Sequence, residues 1–154
     1  MTLRKLITCT FALLVANMAF ADTNSLFVQN YLNSFASRDA QGIYNLIHWE
    51  GMDKSSKRSL QKYIKAGFKR RQIRRIFIEP IANSAVPSYV QDGKTYQLNL
   101  QPTGQLNIVY ISNKGKRTTT QLFVGDHNGK LKIGSAVVAP ESLACNNKDT
   151  DKNC

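Results

Sequence analysis

The sequence predicts an α+β fold, in which three N-terminal helices pack on a curved antiparallel sheet behind a signal peptide. Three observations predict it. Apolar residues recur at helical spacing from Leu26 to Phe68. After Arg71 the repeat becomes strand-like alternation and stays so to Val138. The change falls inside one unbroken stretch, KSSKRSLQKYIKAGFKRRQIRRIFIEPI from Lys54 to Ile81, so the helical half runs directly into the sheet half. A run of helices followed by a run of strands is the α+β pattern.

A chain of 154 residues suggests one domain. Residues 1–21, MTLRKLITCTFALLVANMAFA, have the layout of a bacterial-type signal peptide. Arg4 and Lys5 lead, Leu6 to Ala16 form a short apolar run, and Ala19-Phe20-Ala21 fits small-x-small cleavage. The apolar run is too short to span a bilayer, which takes about 20 residues. The protein is therefore expected to be exported, periplasmic or secreted, with no transmembrane segment in the mature chain. Residues 22–139 are read as the single domain and 140–154 as a polar C-terminal tail. The formal charge is +11, and +9 once Arg4 and Lys5 are removed. Such a charge keeps a chain soluble and draws it to anionic partners.

Cys145 and Cys154 remain after cleavage. In an oxidising compartment they are expected to form a disulfide. It would close the loop CNNKDTDKNC, worth roughly 2–3 kcal/mol, without bracing the core. Asn147, Asp149, Asp151 and Asn153 alternate as calcium ligands do, but the loop lacks the Gly and Glu of an EF-hand. It reads as a solvated tail.

The elements follow in order. Phe27, Val28, Tyr31, Leu32 and Phe35 share one face of a first helix. Asp39 can cap a second, whose buried stripe is Ile43, Leu46 and Ile47, with Tyr44 and Trp49 beside it and Gly51 at its end. A third starts near Ser55 or Ser56 and buries Leu60, Tyr63, Ile64, Gly67 and Phe68. Gln72 to Ile81 reads as the first strand. Asp92-Gly93 is a tight turn, and Lys94 to Gln101 alternates Tyr96, Leu98 and Leu100 against polar residues. Leu106, Ile108 and Tyr110 continue the apolar face on the next strand. Thr118 to Val124 and Leu131 to Val138 form a last hairpin around Asn128-Gly129. The strands together read as one meander.

This order resembles the nuclear-transport-factor-2-like fold, a cone shared with SnoaL-type and ketosteroid-isomerase-like proteins. The resemblance rests on the closing hairpin LFVGDHNGKLKIGSAVV, Leu122 to Val138, and on the opening helix with its Ser37-Arg38-Asp39 break. It implies a curved sheet and helices enclosing a pocket at the open end of the cone. Members include isomerases, cyclases and non-enzymatic binding proteins, so the resemblance leaves function open.

Catalytic signals are thin. Ketosteroid-isomerase-like chemistry needs a carboxylate base in an apolar pocket. Asp39 reads as a cap, Asp53 as a helix start, and Asp92 and Asp126 as turn residues. Glu50 and Glu79 are left over. His48 and Glu50, two apart on the predicted second helix, do not face each other, and His127 lies in a hairpin loop, so no metal site and no cofactor are read from them. No Ser or Cys nucleophile pattern is present.

Binding features are stronger. Tyr44, Trp49, Tyr63, Tyr96 and Tyr110 are candidate pocket aromatics with polar tips. Arg58, Lys62, Lys65 and Lys69 fall in one band of the third helix as a basic face with no interleaved acid. Strict alternation puts Arg74 with Ile76 and Ile78, and Arg75 with Ile73 and Phe77. One of the two is therefore expected at the pocket mouth, holding an anionic group of a ligand. The resulting expectation is an exported, non-catalytic binding protein. Its partner is a small hydrophobic or anionic ligand in the pocket, or an acidic protein or envelope surface on the basic helix. A SnoaL-like isomerase or hydrolase is the alternative. Nucleic acid is disfavoured because no recognisable module accompanies the charge, and a homodimer is one assembly open to the chain.

Exported material is expected to start at Asp22 and to weigh two hydrogens less than the reduced chain. Intact-mass spectrometry checks both; an uncut N-terminus or two free thiols contradicts this reading.

Overall fold

The computed structural model of the protein describes residues 23–81 and 86–139. The expected leader (1–21), the tail (140–154) and the Cys145–Cys154 pair lie outside the described residues. Helix α1 spans residues 23–36, α2 Ala40–Asn45 and α3 Lys54–Arg70. The strands are β1 Arg71–Pro80, β2 Ser88–Gln91, β3 Lys94–Leu98, β4 Gly104–Ser112, β5 Arg117–His127, β6 Lys130–Ile133 and β7 Ala136–Val138. The class is α+β, with helices followed by strongly curled antiparallel sheet in the manner of a half-barrel.

The expected helices form with one exception in length, but Tyr63, expected on the buried face of the third helix, is exposed. Phe27 and Tyr31 bury the inner face of α1. The chain then breaks where Arg38 takes the left-handed conformation, φ 58°. Asp39 occupies the N-cap position of α2, but its side chain makes no capping bond. Asp53 does cap α3, its Oδ1 accepting from the Ser55 and Ser56 N–H at 2.8 and 2.9 Å. Those bonds hold the Asp53 carboxyl below its usual range. The exception is α2. It ends at Asn45, although the helical stripe predicts continuation toward Gly51. Ile47 instead forms a parallel bridge with Ile133 of β6. Ile133 N–H donates to Leu46 O at 2.7 Å, and His48 N–H donates to Ile133 O at 2.9 Å. The sheet takes the groups that a further helical turn would have used.

The strands make two sheets, where alternation predicted one meander. One has the order β1-β4-β5-β6 and the other β2-β3-β7. The chain leaves β3 and crosses β5 before entering β4. Thr103 N–H donates to Val124 O at 2.8 Å along the way. The crossing is close: a Cβ on Gly125 would stand 2.0 Å from Gln101 O. At Gly134-Ser135 the last strand switches sheets, so the predicted Leu131–Val138 arm is two short strands, β6 and β7.

Register also corrects the predicted faces of β1. Ile73 opposes Tyr110 and Arg75 opposes Val109, with Arg74 bulged between them. The extra residue brings Ile73 onto the face of Ile76 and Ile78, which oppose Ile108 and Leu106. All three pack on the core, so the bulge gathers on one face isoleucines that strict alternation divides. The core is built on Leu106, Ile108 and Tyr110 of β4, with Phe27, Tyr31, Ile43, Ile47, Val124, Leu131 and Ile133 around them. Leu60, Ile64 and Phe68 of α3 rest against it without full burial.

Two glycine substitutions are expected to act with opposite signs in urea unfolding. Gly125→Ala meets fixed backbone and loses about 1–3 kcal/mol. Gly67→Ala, with nothing within 4 Å of the added methyl in the middle of α3, gains about 0.5–1 kcal/mol.

Candidate functional site

The early end of α2 opens a groove. Residues 46–49 leave the helix, and the β5–β6 hairpin approaches from one side and the start of α1 from the other. The open space between them has a volume of about 980 Å³, the size of a small-molecule site. Its apolar lining comes from Leu26, Phe27, Tyr44, Ile47, Trp49 and Leu131. Lys57 of α3 and Lys130 and Lys132 of β6 also line it, and none of the described lining residues is an acid.

The aromatic pair in the groove is held rigidly. Tyr44 and Trp49 meet edge-to-face, with centroids 6.0 Å apart and planes at 84°. Trp49 Nε1 donates to Tyr44 O at 2.8 Å, and Tyr44 Oη donates to Gln61 O at 3.2 Å. Desolvation raises the Tyr44 hydroxyl above its ordinary range, so it is neutral at physiological pH. Lys57 Nζ stands 5.1 Å from the Trp49 ring centroid, a cation–π contact. Lys132 Nζ donates to Asn45 O.

The other expected aromatics lie elsewhere. Tyr63 and Tyr110 flank Arg71, whose guanidinium carbon is 5.1 and 5.5 Å from their ring centroids. Arg71 Nη1 donates to Tyr63 Oη at 2.8 Å. Tyr110 Oη and the α1 residue Tyr31 share a buried hydrogen bond of 3.0 Å. Burial pushes both of these phenols upward, and Tyr110 raises Tyr31 further. The space among these groups is only about 40 Å³, too small for a ligand. A second groove of about 310 Å³ runs past Arg71, Arg38 and Phe68. Tyr96 belongs to the three-stranded sheet and stacks on Tyr89 at 5.3 Å, away from both grooves.

Arg74 and Arg75 are both exposed and line none of these spaces. The β1 bulge is the reason. It leaves Arg74 without a strand partner and moves Ile73 off the face of Arg75, Phe77 and Glu79, where the Arg75 guanidinium lies 4.5 Å from the Phe77 ring centroid. Glu79 accepts from Asn107 Nδ2 at 3.0 Å. The guanidinium groups that border these spaces are Arg38 and, at the helix–strand junction, Arg71. Arg58, Lys62, Lys65 and Lys69 are all exposed along α3, as expected, and none has a carboxylate within ion-pair distance among the described residues.

One cluster escaped the sequence reading because it assumed a longer helix. Past Leu46 the chain has left the helix, and His48 and Glu50 come to the same side. His48 Nε2 lies 3.6 Å from Glu50 Oε2, and the His48 and His127 ring centroids are 4.2 Å apart. Desolvation, then His127, push the buried His48 imidazole below its ordinary range, against the pull of Glu50. Lys57, Lys130 and Lys132 were also missed. The alternation of Lys130 and Lys132 with Leu131 and Ile133 was visible, but nothing in it says that a groove lies beside them.

No family model, curated protein or solved structure matches the chain. No helix among the described residues is long and apolar enough to cross a membrane.

Proposed function

We propose that this is an exported, non-catalytic binding protein of the nuclear-transport-factor-2-like type, whose groove between the helices and the β5–β6 hairpin holds an anionic amphiphile. The ligand has an apolar body and a carboxylate or phosphate head. One observation carries the reading. The groove joins an aromatic and aliphatic lining to three lysines and, among its described residues, no acid. Apolar walls with a few convergent polar groups are the ordinary composition of a ligand site. Lysine is a flexible point-charge donor, and here its cations have no lining carboxylate to neutralise them.

A second reading rests on α3 itself. Arg58, Lys62, Lys65 and Lys69, four of its exposed cations, sit at helical neighbour spacing, where like charges cost roughly 0.2–0.5 kcal/mol per pair. An anionic surface, lipid or acidic protein, would relieve that repulsion.

Trp49 is the single tryptophan of the chain and lines the groove, so its emission reports occupancy directly. Dodecyl phosphate, kept below its micelle concentration, is expected to change Trp49 fluorescence saturably. Dodecanol is expected to act at least about 10-fold more weakly, the equivalent of one lost charge contact. The double variant Lys57→Gln/Lys130→Gln should remove the preference for the phosphate. A linear, unsaturable response to both compounds refutes the groove reading.

For the second reading, retention on anionic vesicles is expected to fall steeply as salt rises, since charges are screened over about 8 Å at physiological ionic strength. Changing Arg58, Lys62, Lys65 and Lys69 to Gln should abolish retention without lowering the melting temperature. Retention that survives this change leaves α3 as a merely solvated face.

A further inference from the structure

We infer that His48, Glu50 and His127 form a binding site for a divalent transition-metal ion of the zinc class, separate from the amphiphile groove and independent of that reading. One ligand atom from each of the three residues lies within 4.8 Å of the other two. Two imidazoles and one carboxylate are a donor set that zinc accepts, at about 2.0–2.2 Å from each atom. Donors around one such ion stand roughly 3.3–3.6 Å apart in tetrahedral geometry. The His48–Glu50 pair is already at 3.6 Å. The pairs with His127 lie within 4.8 Å, and the Glu50 side chain is 78% exposed.

The backbone beneath the donors is clamped. Asn99 Nδ2 donates to the carbonyl oxygens of both His48 and Glu50, at 2.9 and 2.8 Å. Asn99 Oδ1 accepts from Ser135 N–H at 2.8 Å. One amide side chain thus holds two donor residues in register with the strand switch between the sheets. Outer groups that orient metal ligands in this way are part of how a site is made. His48 is also fixed by its own N–H on Ile133 O at 2.9 Å. His127 stands at the base of a two-residue turn, where Asn128 and Gly129 have φ of 55° and 73°. The Asn128 amide lies 3.2 Å from His127 Nε2; with its oxygen turned to that nitrogen it accepts Nε2–H and leaves Nδ1 as the lone-pair donor for the ion.

The cations nearby do not occupy the site. Lys132 Nζ is drawn to Asn45 O, and Lys130, opposite His127 in the hairpin, lines the groove together with Lys132. An ordinary ion pair between His48 and Glu50 would have no use for His127. A second imidazole at 4.2 Å from the first supplies the second nitrogen donor that coordination needs. Three protein donors leave a position open to water or an anion. The site so described is an open one.

The test uses untagged, chelator-treated protein, with Zn²⁺ titrated by calorimetry and Co²⁺ uptake read from its visible absorption. One ion per chain is expected. Because His48 is buried, the decisive variants are Glu50→Gln and His127→Ala, each checked for native circular dichroism. Each is expected to weaken Zn²⁺ binding by at least about 10-fold and to alter the Co²⁺ spectrum. A Cys145→Ser/Cys154→Ser variant should bind as the parent does, which separates the cluster from the tail. Absence of saturable uptake overturns the site, as does binding that survives either decisive variant or that is lost with the two cysteines.

Discussion

Two backbone hydrogen bonds at Ile133 organise the functional half of the molecule. Ile133 N–H bonds Leu46 O, and His48 N–H bonds Ile133 O. Each is worth only about 0.5–1.5 kcal/mol net. Their importance lies in where they act. They stop α2 after six residues and, past the still helical Leu46, draw Ile47 to Trp49 out of the helix alongside β6. Side chains on extended backbone alternate, so Ile47 and Trp49 turn to the groove while His48 and Glu50 turn together to the other side. Had the helix continued, both the groove and the imidazole–carboxylate cluster would be lost.

The junction depends in turn on the core behind it. Leu106 and Ile108 of β4 are fully buried, and Ile47 and Ile133 meet the same cluster. Burying an isoleucine contributes roughly 1.5–3 kcal/mol, comparable with what a further turn of helix would gain from propensity and backbone bonds. Burial of Ile47 beside Ile133 therefore decides the backbone conformation. Asn99 completes the arrangement from the second sheet. By bonding the His48 and Glu50 carbonyls it satisfies two acceptors that the vanished helix would have used.

Charge is distributed with the same economy. Arg58, Lys62, Lys65 and Lys69 of α3 face outward with no carboxylate partner among the described residues, while Lys57, Lys130 and Lys132 gather along one groove. Arg71 takes a different role: it sits between two tyrosine rings beside the buried Tyr31–Tyr110 pair. There its guanidinium serves as a polar partner at the helix–sheet seam, donating to Tyr63 Oη. That placement explains why the arginine nearest the core is the one at the helix end and not one further along the strand.

Much of this was legible in the sequence. The helix stripes of Phe27–Tyr31 and Leu60–Phe68, the Asp53 cap, the Asp92-Gly93 and Asn128-Gly129 turns, the inward row Leu106-Ile108-Tyr110 and the outward cations of α3 all follow from local periodicity and turn chemistry, which one segment carries by itself. Trp49 and Tyr44 were legible as neighbours for the same reason. What local pattern does not carry is competition between partners. The end of α2 was decided by β6, the bulge at Arg74 by the register against β4, and the division into two sheets by the crossing at Gly125, each a contact between segments far apart in the chain. The groove lysines, the exposure of Arg74 and Arg75 and the meeting of His48, Glu50 and His127 are consequences of those three contacts. The sequence by itself determined which residues seek burial and which seek water; only the tertiary structure decided which of them meet, because hydrogen-bond partners and register are settled between segments and not within them.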